Sequence, residues 1–406
     1  MSALAVAPGS TVQAQEAADR PGLRLLTAAH LMNDLNQGVL PAMIPLLVMH
    51  RHLSLAVAAT LVLAANLLGS VVQLGFGYLS DKRPSAWVIP AALIFATGGT
   101  ALIGLAPTLP LMLAGAMLSG FGVAAFHPEA SRFSNYFSGR NRASGMSTFT
   151  VGGYLGFAFG PLLATPLMLL FGLPGVAWLL LPAVAMALLI VRDLPHFNAV
   201  RSAAHYARRE RSGRDDWHAF SIMSVVVALR STTFLAAVTF TPVFVMTITH
   251  ASAMFGSVVL FLLFVGGAAG TMLGGLLGDR IDRRRVISCS LALTALSGAA
   301  IAANGAFLHL SIAMLGLAPL FGTSLGLSAG VLVVVGQEYL PKHIGIASGM
   351  TLGLANTVGG IAAPAFGWLG DVRGLVTVFA AIAFFAMLGF GGSLFMRRVR
   401  RSDDGG

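Results

Sequence analysis

The chain has 406 residues, of which 56% are hydrophobic and only 10% are charged. Soluble domains carry about a quarter charged residues, so this composition excludes an ordinary soluble protein and predicts a chain embedded in lipid. The net charge of +10 does not indicate nucleic-acid binding, because the basic residues fall in short segments between apolar runs. The single cysteine, Cys289, excludes an intrachain disulfide and a Cys-x-x-Cys site.

Twelve apolar runs follow one another along the chain, each close to the roughly 20 residues that a helix needs to cross a bilayer. A polar stretch separates the first six runs from the last six. This pattern predicts an all-α membrane protein with twelve transmembrane helices in two six-helix bundles. The predicted spans are Leu23–Met49, Leu55–Leu79, Trp87–Ala106, Leu109–Ala130, Ser144–Leu167, Leu170–Val191, Phe220–Met246, Met254–Gly278, Val286–Leu308, Leu310–Val335, Ile346–Leu369 and Leu375–Met396.

The polar stretch in the middle of the chain lacks apolar periodicity, so we interpret it as a linker and not as a folded domain. The polar ends of the chain are interpreted as tails, and the N-terminal one lacks the apolar core of a secretory signal. The predicted organisation is an N-terminal tail, a first bundle, a linker, a second bundle and a C-terminal tail. Their ranges are 1–22, 23–191, 192–218, 219–396 and 397–406.

The positions of lysine and arginine predict how the chain crosses the membrane. With both termini in the cytoplasm, all but three of the 25 Lys and Arg residues fall in cytoplasmic segments; the exceptions are Arg51, Arg230 and Arg373. Cytoplasmic loops of membrane proteins are enriched in these residues. We therefore predict cytoplasmic termini and a multi-pass protein of the bacterial inner membrane.

Short motifs recur in the two halves. Gly77–Arg83 ends the second span and Gly275–Arg280 ends the eighth, and Ala143–Met146 and Ala347–Met350 open the fifth and eleventh. Using one unit twice is typical of transporters built from parallel repeats.

Small residues recur at every fourth position in four of the spans, so that each set lies on one helix face. Ordinary helix packing explains any one of these stripes. Because all four occupy equivalent places in the repeat, we interpret them as the seam where the two bundles move against each other. The stripes are Ala65/Gly69/Gly77, Gly152/Gly156/Gly160, Gly266/Gly270/Gly274/Gly278 and Gly345/Gly349/Gly353.

Polar residues cluster inside the first span, at His30, Asn33, Asp34 and Gln37. An ionisable group at this depth is costly and indicates a functional site. We favour Asp34 as a proton carrier facing a central cavity, with His30, Asn33 and Gln37 as substrate-binding residues. The alternative is a hydrogen-bonded patch that holds helices together.

The fourth span ends in a run from Phe126 to Arg132 that contains His127, Pro128 and Glu129. Pro128 removes a backbone donor, so a kink or break is expected. Glu129 and Arg132 are three residues apart and can form an ion pair at a cytoplasmic gate. A proton relay through His127 and Glu129 is equally compatible with the spacing.

Arg230 is deep in the seventh span, on one face with Thr233. A buried cation requires an anion, and we favour contact with the substrate, with Thr233 beside it, over pairing with Asp34 or Glu129.

Charged residues at the ends of spans predict a cytoplasmic gate. Glu338 is expected to pair with Lys342 or with a basic loop residue; the other predicted gate residues are Asp81, Arg83, Arg132, Asp279 and Arg280. Phosphate-loop, zinc and nucleophile-elbow patterns are not found, so the sequence predicts neither an enzyme nor a bound cofactor or metal.

These motifs resemble a known family. The Gly77–Arg83 and Gly275–Arg280 segments are similar to the loop signature of the major facilitator superfamily, and Gly156–Pro161 resembles its fifth-helix antiporter signature. More narrowly, several segments resemble the fosmidomycin resistance protein family. They are His30–Gly38, Asp81–Pro84, Ala125–Arg132, Gly160–Leu163 and Gln337–Pro341.

This resemblance implies the major facilitator fold and a basic residue at Arg230. It also implies proton-coupled antiport of a small anionic drug such as fosmidomycin. The alternative is a proton symporter or uniporter that takes up an organic-anion metabolite. The expected partners are the substrate, protons and the lipid bilayer, without nucleic acid, and the protein is expected to be a monomer.

Overall fold

The computed structural model describes residues 19–82, 85–138, 142–204, 214–343, 346–347, 350–351 and 355–397. All regular structure in these ranges is helical, which confirms the all-α prediction.

The first half of the chain forms six α-helices, with a 3₁₀ helix at Leu173–Leu179 before the sixth. Asp19 caps the start of α1, and His52, which has a positive φ, follows the last turn of this helix. The helices are α1 Arg20–Arg51, α2 Leu55–Lys82, α3 Val88–Leu105, α4 Leu109–Phe137, α5 Arg142–Phe171 and α6 Leu180–Ala204.

The second half repeats this succession, with one helix interrupted and a π-helical turn at Asn304–Leu308 extending another. The helices are α7 Trp217–Ile248, α8 Ala253–Arg280, α9 Arg283–Ala303, α10 Met314–Gly326, α11 Ala329–Tyr339, α12 Ala355–Arg373 and α13 Leu375–Ser393.

Nine segments of the described chain are long and apolar enough to cross a membrane. They are α3 to α9, the α10–α11 pair and α13. Helices α1 and α12 are not among them, because polar residues inside α1 and at the end of α12 lower their mean hydropathy. In α2, the described side chains form a shorter apolar stretch, Leu55–Leu67.

Helix ends differ from the predicted spans by several residues, and three differences bear on the argument. The predicted span Leu310–Val335 is interrupted at Leu327 and Ser328, between α10 and α11. The polar stretch predicted to begin the linker at 192 is helical as far as Ala204, because polarity alone does not end a helix. Helix α4 continues through Pro128 without the break that was considered, since neighbouring groups can satisfy the carbonyl that proline frees.

The start of each half is fixed by the same contact. The amide of Asp19 donates to the carbonyl of Phe137 at 2.8 Å, and the amide of Asp216 donates to that of Tyr339 at 2.7 Å. Each aspartate also caps its own helix, α1 or α7, by accepting a first-turn amide. Helix starts and ends therefore meet in the same way in both halves, at what we call the terminal end of the molecule.

The glycine stripes pack within each half, so their interpretation as the seam between halves is wrong for those that the structure describes. A methyl group at Gly156 would lie 2.3 Å from the carbonyl oxygen of Leu31 on α1. One at Gly270 would lie 2.1 Å from that of Thr323 on α10. Periodicity correctly indicated faces of close approach. It did not identify the helix on the other side. The stripe at Gly345–Gly353 and the side of α2 at Gly69 and Gly77 lie outside the described residues.

Different faces join the two halves. On α5 and α8, the hydroxyls of Tyr154 and Thr271 are 2.8 Å apart, and those of Thr165 and Ser257 are 2.6 Å apart. Helices α2 and α12 also pack together.

The α2–α12 contact also joins the two halves at the end of the molecule opposite the terminal end, which we call the far end. The carboxylate of Asp371, at the end of α12, accepts the amides of Leu55 and Ala56 at 2.8 and 2.9 Å. These amides are free donors at the start of α2, so a residue of the second half caps a helix of the first.

Candidate functional site

The polar face of α1 meets α4 in a buried cluster of three side chains. The carboxylate of Asp34 lies between two imidazoles, 3.1 Å from Nε2 of His30 and 3.3 Å from Nε2 of His127. The Asp34 and His30 side chains are almost fully buried, whereas that of His127 is 26% exposed. We call His30, Asp34 and His127 the triad. One member therefore connects a buried acid to a more accessible space.

Backbone carbonyls fix the orientation of both imidazoles. Nδ1 of His30 is 2.8 Å from the carbonyl oxygen of Phe149, and Nδ1 of His127 is 2.7 Å from that of Val123. A carbonyl oxygen can only accept, so each Nδ1 carries a proton. In a neutral ring, Nε2 of His127 would then place a lone pair 3.3 Å from an oxygen of ionised Asp34, which also only accepts. The triad therefore requires at least one further proton, or another cation, between its members.

The wall of the triad is aromatic and closely packed. The ring of His30 stacks on that of Phe149, with centroids 4.0 Å apart. The centroid of the Phe126 ring is 5.7 Å from that of His30. Gly153 of α5 leaves room for the cluster, because a methyl group there would lie 2.7 Å from Nε2 of His30. The sequence prediction missed Gly153, since it belongs to no stripe.

The neighbouring asparagines of α1 hold the carboxylate and the helix. Nδ2 of Asn33 donates to Oδ1 of Asp34 at 2.9 Å, and Asn33 is fully buried. Asn36 bonds to Thr97 of α3 at 3.1 Å. Gln37, one turn past Asp34, is half-buried. The predicted polar face is thus partly a hydrogen-bonded helix contact and partly the triad.

Arg230 of α7 lies at the interruption between α10 and α11. Its Nε donates to the hydroxyl of Ser328, and its Nη2 donates to the carbonyl of Leu325, both at 3.1 Å. The last carbonyls of a helix lack partners and carry partial negative charge, which explains why a cation is stable here. No carboxylate within the described residues forms an ion pair with Arg230, so the alternative of pairing with Asp34 is not observed.

Arg230 also lies near the first half. The carbonyl that follows its partner Leu325, that of Gly326, accepts from the hydroxyl of Thr271, which is 2.8 Å from the hydroxyl of Tyr154, the residue after Gly153 on α5. The triad and Arg230 therefore approach the same region of α5 from opposite halves. Thr233, predicted beside Arg230, is buried and its hydroxyl donates to Leu229 of its own helix.

A hydroxyl network that the sequence prediction missed supports this region. Ser290 of α9 donates to Ser328 at 2.9 Å, and Thr294 and Ser297 bond to Ser324 of α10. Serine and threonine inside apolar runs carry no distinctive spacing, so only the packed structure identifies them as one network.

The remaining predicted residues lie toward the terminal end. Glu129 is buried, and its Oε1 accepts the amide of Ser85 at 3.2 Å, just before α3. It is thus held at a helix start, whereas His127 contacts Asp34. Arg132 is half-buried on α4.

At the same end of the second half, Glu338 forms an ion pair with Arg283, the first residue of α9. Asp279 and Arg280 are exposed at the end of α8. The side chain of Asp81 and residue Arg83 lie outside the described part of the chain.

Comparisons with known proteins agree with this architecture. The family model described as the Major Facilitator Superfamily matches residues 26–248. An uncharacterized MFS-type transporter of Bacillus subtilis (strain 168), YfnC, is 32% identical over 391 residues, which cover 94% of this chain and 92% of that protein. The fosmidomycin resistance protein of Escherichia coli (strain K12) is 30% identical over 379 residues, covering 90% of each.

Among solved structures, the nucleoside transporter NupG has a similar fold. The TM-score is 0.76 at 13% identity, and the alignment covers 92% of this chain and 98% of that one. Full-length similarity to these transporters, together with the helical architecture and the buried ionisable groups, leads to one conclusion. The chain belongs to the major facilitator superfamily of membrane transporters.

Proposed function

We propose that this protein is a proton-coupled exporter of a small anionic compound such as fosmidomycin. The observation that carries the proposal is the triad, in which a buried carboxylate contacts two imidazoles. Buried ionisable groups of this kind are typical of proton relays in transporters. The relative named for fosmidomycin resistance supports the choice of cargo.

The proposed topology has twelve spans in two bundles, 23–191 and 219–396; of the linker between them, 192–218, residues 192–204 continue α6 and 217–218 begin α7. The terminal end then faces the cytoplasm of a bacterium and carries both tails, 1–22 and 397–406. The enrichment of Lys and Arg at this end supports the orientation. In this orientation the bonds of Asp371 to the start of α2 support an inward-facing state, and alternating access would require the α2–α12 contact to open.

In this proposal, Asp34 exchanges protons through His127. The partial exposure of His127 supports a route between the cavity and the buried carboxylate, while His30 is buried against Phe149. Glu129, two residues further toward the terminal end and held by the amide of Ser85, would pass protons between His127 and the cytoplasm. Transport of protons and cargo is coupled if one state of the cycle requires Asp34 to be protonated and the other requires it to be ionised.

Arg230 would bind the anionic group of the cargo. A guanidinium has five N–H donors, and the two bonds to Ser328 and Leu325 leave others for an oxyanion. Tyr154 and the polar residues His30, Asn33, Gln37 and Thr233 would complete the binding region. The charged residues Arg132, Asp279, Arg280, Glu338, Asp81 and Arg83 would stabilise the closed cytoplasmic gate.

The test is transport of fosmidomycin by the purified protein in proteoliposomes under an imposed pH gradient. We expect gradient-driven flux for the wild type and its loss in Asp34→Asn, which keeps the size of the side chain and removes the proton site. Asp193→Asn, a half-buried acid on α6 outside the triad, is the matched control and should transport normally. Undiminished flux in Asp34→Asn would exclude the proton-carrier role.

The alternative is uptake of an organic-anion metabolite by symport or uniport, which uses the same Arg230 contact. Expression in a susceptible bacterium distinguishes the two. Export predicts resistance to fosmidomycin or to another compound of a phosphonate panel, whereas uptake predicts unchanged or increased susceptibility.

A further inference from the structure

We propose that His30, Asp34 and His127 form a binding site for a divalent transition metal ion such as Zn²⁺. The potential ligand atoms of these three residues all lie within 4.8 Å of one another. Two imidazoles and one carboxylate are ligands that Zn²⁺ commonly uses, and three protein ligands leave a position for water or an anion.

The orientation of the imidazoles fits metal binding. Histidine ligands usually donate their other ring N–H to a carbonyl or carboxylate, which fixes the tautomer. Here Nδ1 of each ring faces a backbone carbonyl, at Phe149 and Val123, so each Nε2 presents its lone pair to the centre of the triad. Asn33 holds the carboxylate from the side in the same way.

The distances fit as well. With metal–ligand bonds of about 2.0–2.1 Å, the edges of a tetrahedron are about 3.3 Å long. Nε2 of His30 is 3.1 Å from Oδ2 of Asp34 and Nε2 of His127 is 3.3 Å from Oδ1, so each imidazole lies one such edge from a different oxygen, as suits a carboxylate that binds through both. Nε2 of His30 is buried and forms no aligned hydrogen bond, although Asp34 is at ion-pair distance. A nitrogen oriented in this way is suited to a ligand between the three side chains.

The charge requirement of the triad points in the same direction. Two neutral imidazoles and a carboxylate place three lone pairs against each other, and either two protons or one divalent cation resolves the conflict with the same net charge. The partly exposed side chain of His127 provides access. A metal ion would therefore occupy the place of the protons in the transport cycle proposed above.

The experiment is equilibrium dialysis of the purified full-length protein, carrying a tag without histidine, against Zn²⁺. We expect one ion per chain. Asp34→Asn and His127→Gln should each weaken binding at least about tenfold, the lower limit for losing even an outer-shell partner. The matched control is His343→Gln, which removes an imidazole that contacts a single carboxylate among the described residues, Asp215 at 2.8 Å, and should bind Zn²⁺ normally.

Two further measurements do not depend on the folding of those variants. Gly153→Ala keeps all three ligands but adds a methyl group 2.8 Å from Oδ2 of Asp34, and should weaken binding. Wild-type protein with Co²⁺ should show the intense visible absorption of a four- or five-coordinate ion, removed by Zn²⁺. Absence of stoichiometric binding, binding that persists in the triad variants, or the weak spectrum of aqueous Co²⁺ would overturn the proposal. Because none of these assays measures transport, failure here leaves the proposed function intact, and failure of transport leaves the metal site intact.

Discussion

Replacing Asp371 with alanine is expected to favour the state in which the far end is open. Its carboxylate is the cap of α2, although it belongs to α12 of the other half, and it accepts the amides of Leu55 and Ala56. Opening the far end must separate these helices and break both hydrogen bonds. The residue therefore stabilises one state of the transport cycle and not the other.

The size of this effect follows from helix capping. Removing an N-cap carboxylate costs about 0.5–2 kcal/mol, a range that includes its interaction with the helix dipole. Because Asp371 is exposed and the freed amides can bind water, the expected value is ~1 kcal/mol. The ratio of open to closed molecules should then rise about fivefold.

Distances between spin labels measure this ratio. Suitable positions are Thr108→Cys and Leu310→Cys, exposed sites at the far end of the two halves, after Cys289→Ser has removed the native thiol. The control is Ser54→Ala, which removes a cap of the same helix from within the same half, where Ser54 accepts the amide of Val57 at 3.2 Å.

We expect a larger long-distance population in Asp371→Ala and no change in Ser54→Ala. An unchanged distribution in Asp371→Ala would show that the contact does not contribute to closure. An equal shift in Ser54→Ala would show that fraying of α2, and not the bond between halves, controls the opening.

Three other substitutions test the packing, the terminal contacts and the cargo site. Gly270→Ala places a methyl group 2.1 Å from a carbonyl oxygen of α10 and should lower the melting temperature, since overpacking costs about 1–3 kcal/mol; Gly275→Ala, with no atom within 4 Å, should not. A first-turn amide of α7 and a C-terminal arginine hold the pKa of Asp216 below its usual value. Its stabilisation is present above the unfolded pKa of about 4 and is lost as pH falls through the lower folded pKa. The difference in melting temperature between wild type and Asp216→Asn should therefore be largest near pH 7 and shrink as pH falls below about 4, and a constant difference would contradict it. Arg230→Gln should raise the KM for fosmidomycin strongly, whereas Ser328→Ala, which removes only a supporting hydroxyl, should leave it nearly unchanged; equal effects would make Arg230 a structural residue.

The sequence predicted those features of the site that depend on one helix. The spacing of His30 and Asp34 put them on one face of α1, and the structure brings them to 3.1 Å. It could not predict that His127 contacts Asp34, because this depends on how α4 is placed against α1. The spacing of residues in one helix does not identify the residues of another helix that will contact them.

The same limit explains the errors in the fold. Four-residue spacing identified the faces of α5 and α8 that approach another helix, but not that α1 and α10 are the partners. The interruption at Leu327 and Ser328 lies in a continuous apolar run, so hydropathy did not reveal it. It is stabilised by Arg230, whose depth was predicted and whose partners were not.

Simultaneous recording of protons and cargo tests the central claim most directly. Protein is reconstituted in liposomes that contain fosmidomycin and a pH-sensitive dye, and an inward-directed proton gradient is imposed. The account predicts fosmidomycin efflux with proton entry in a fixed ratio, and loss of both in Asp34→Asn. Efflux without proton entry, or proton and cargo movement in the same direction, would contradict proton-coupled export.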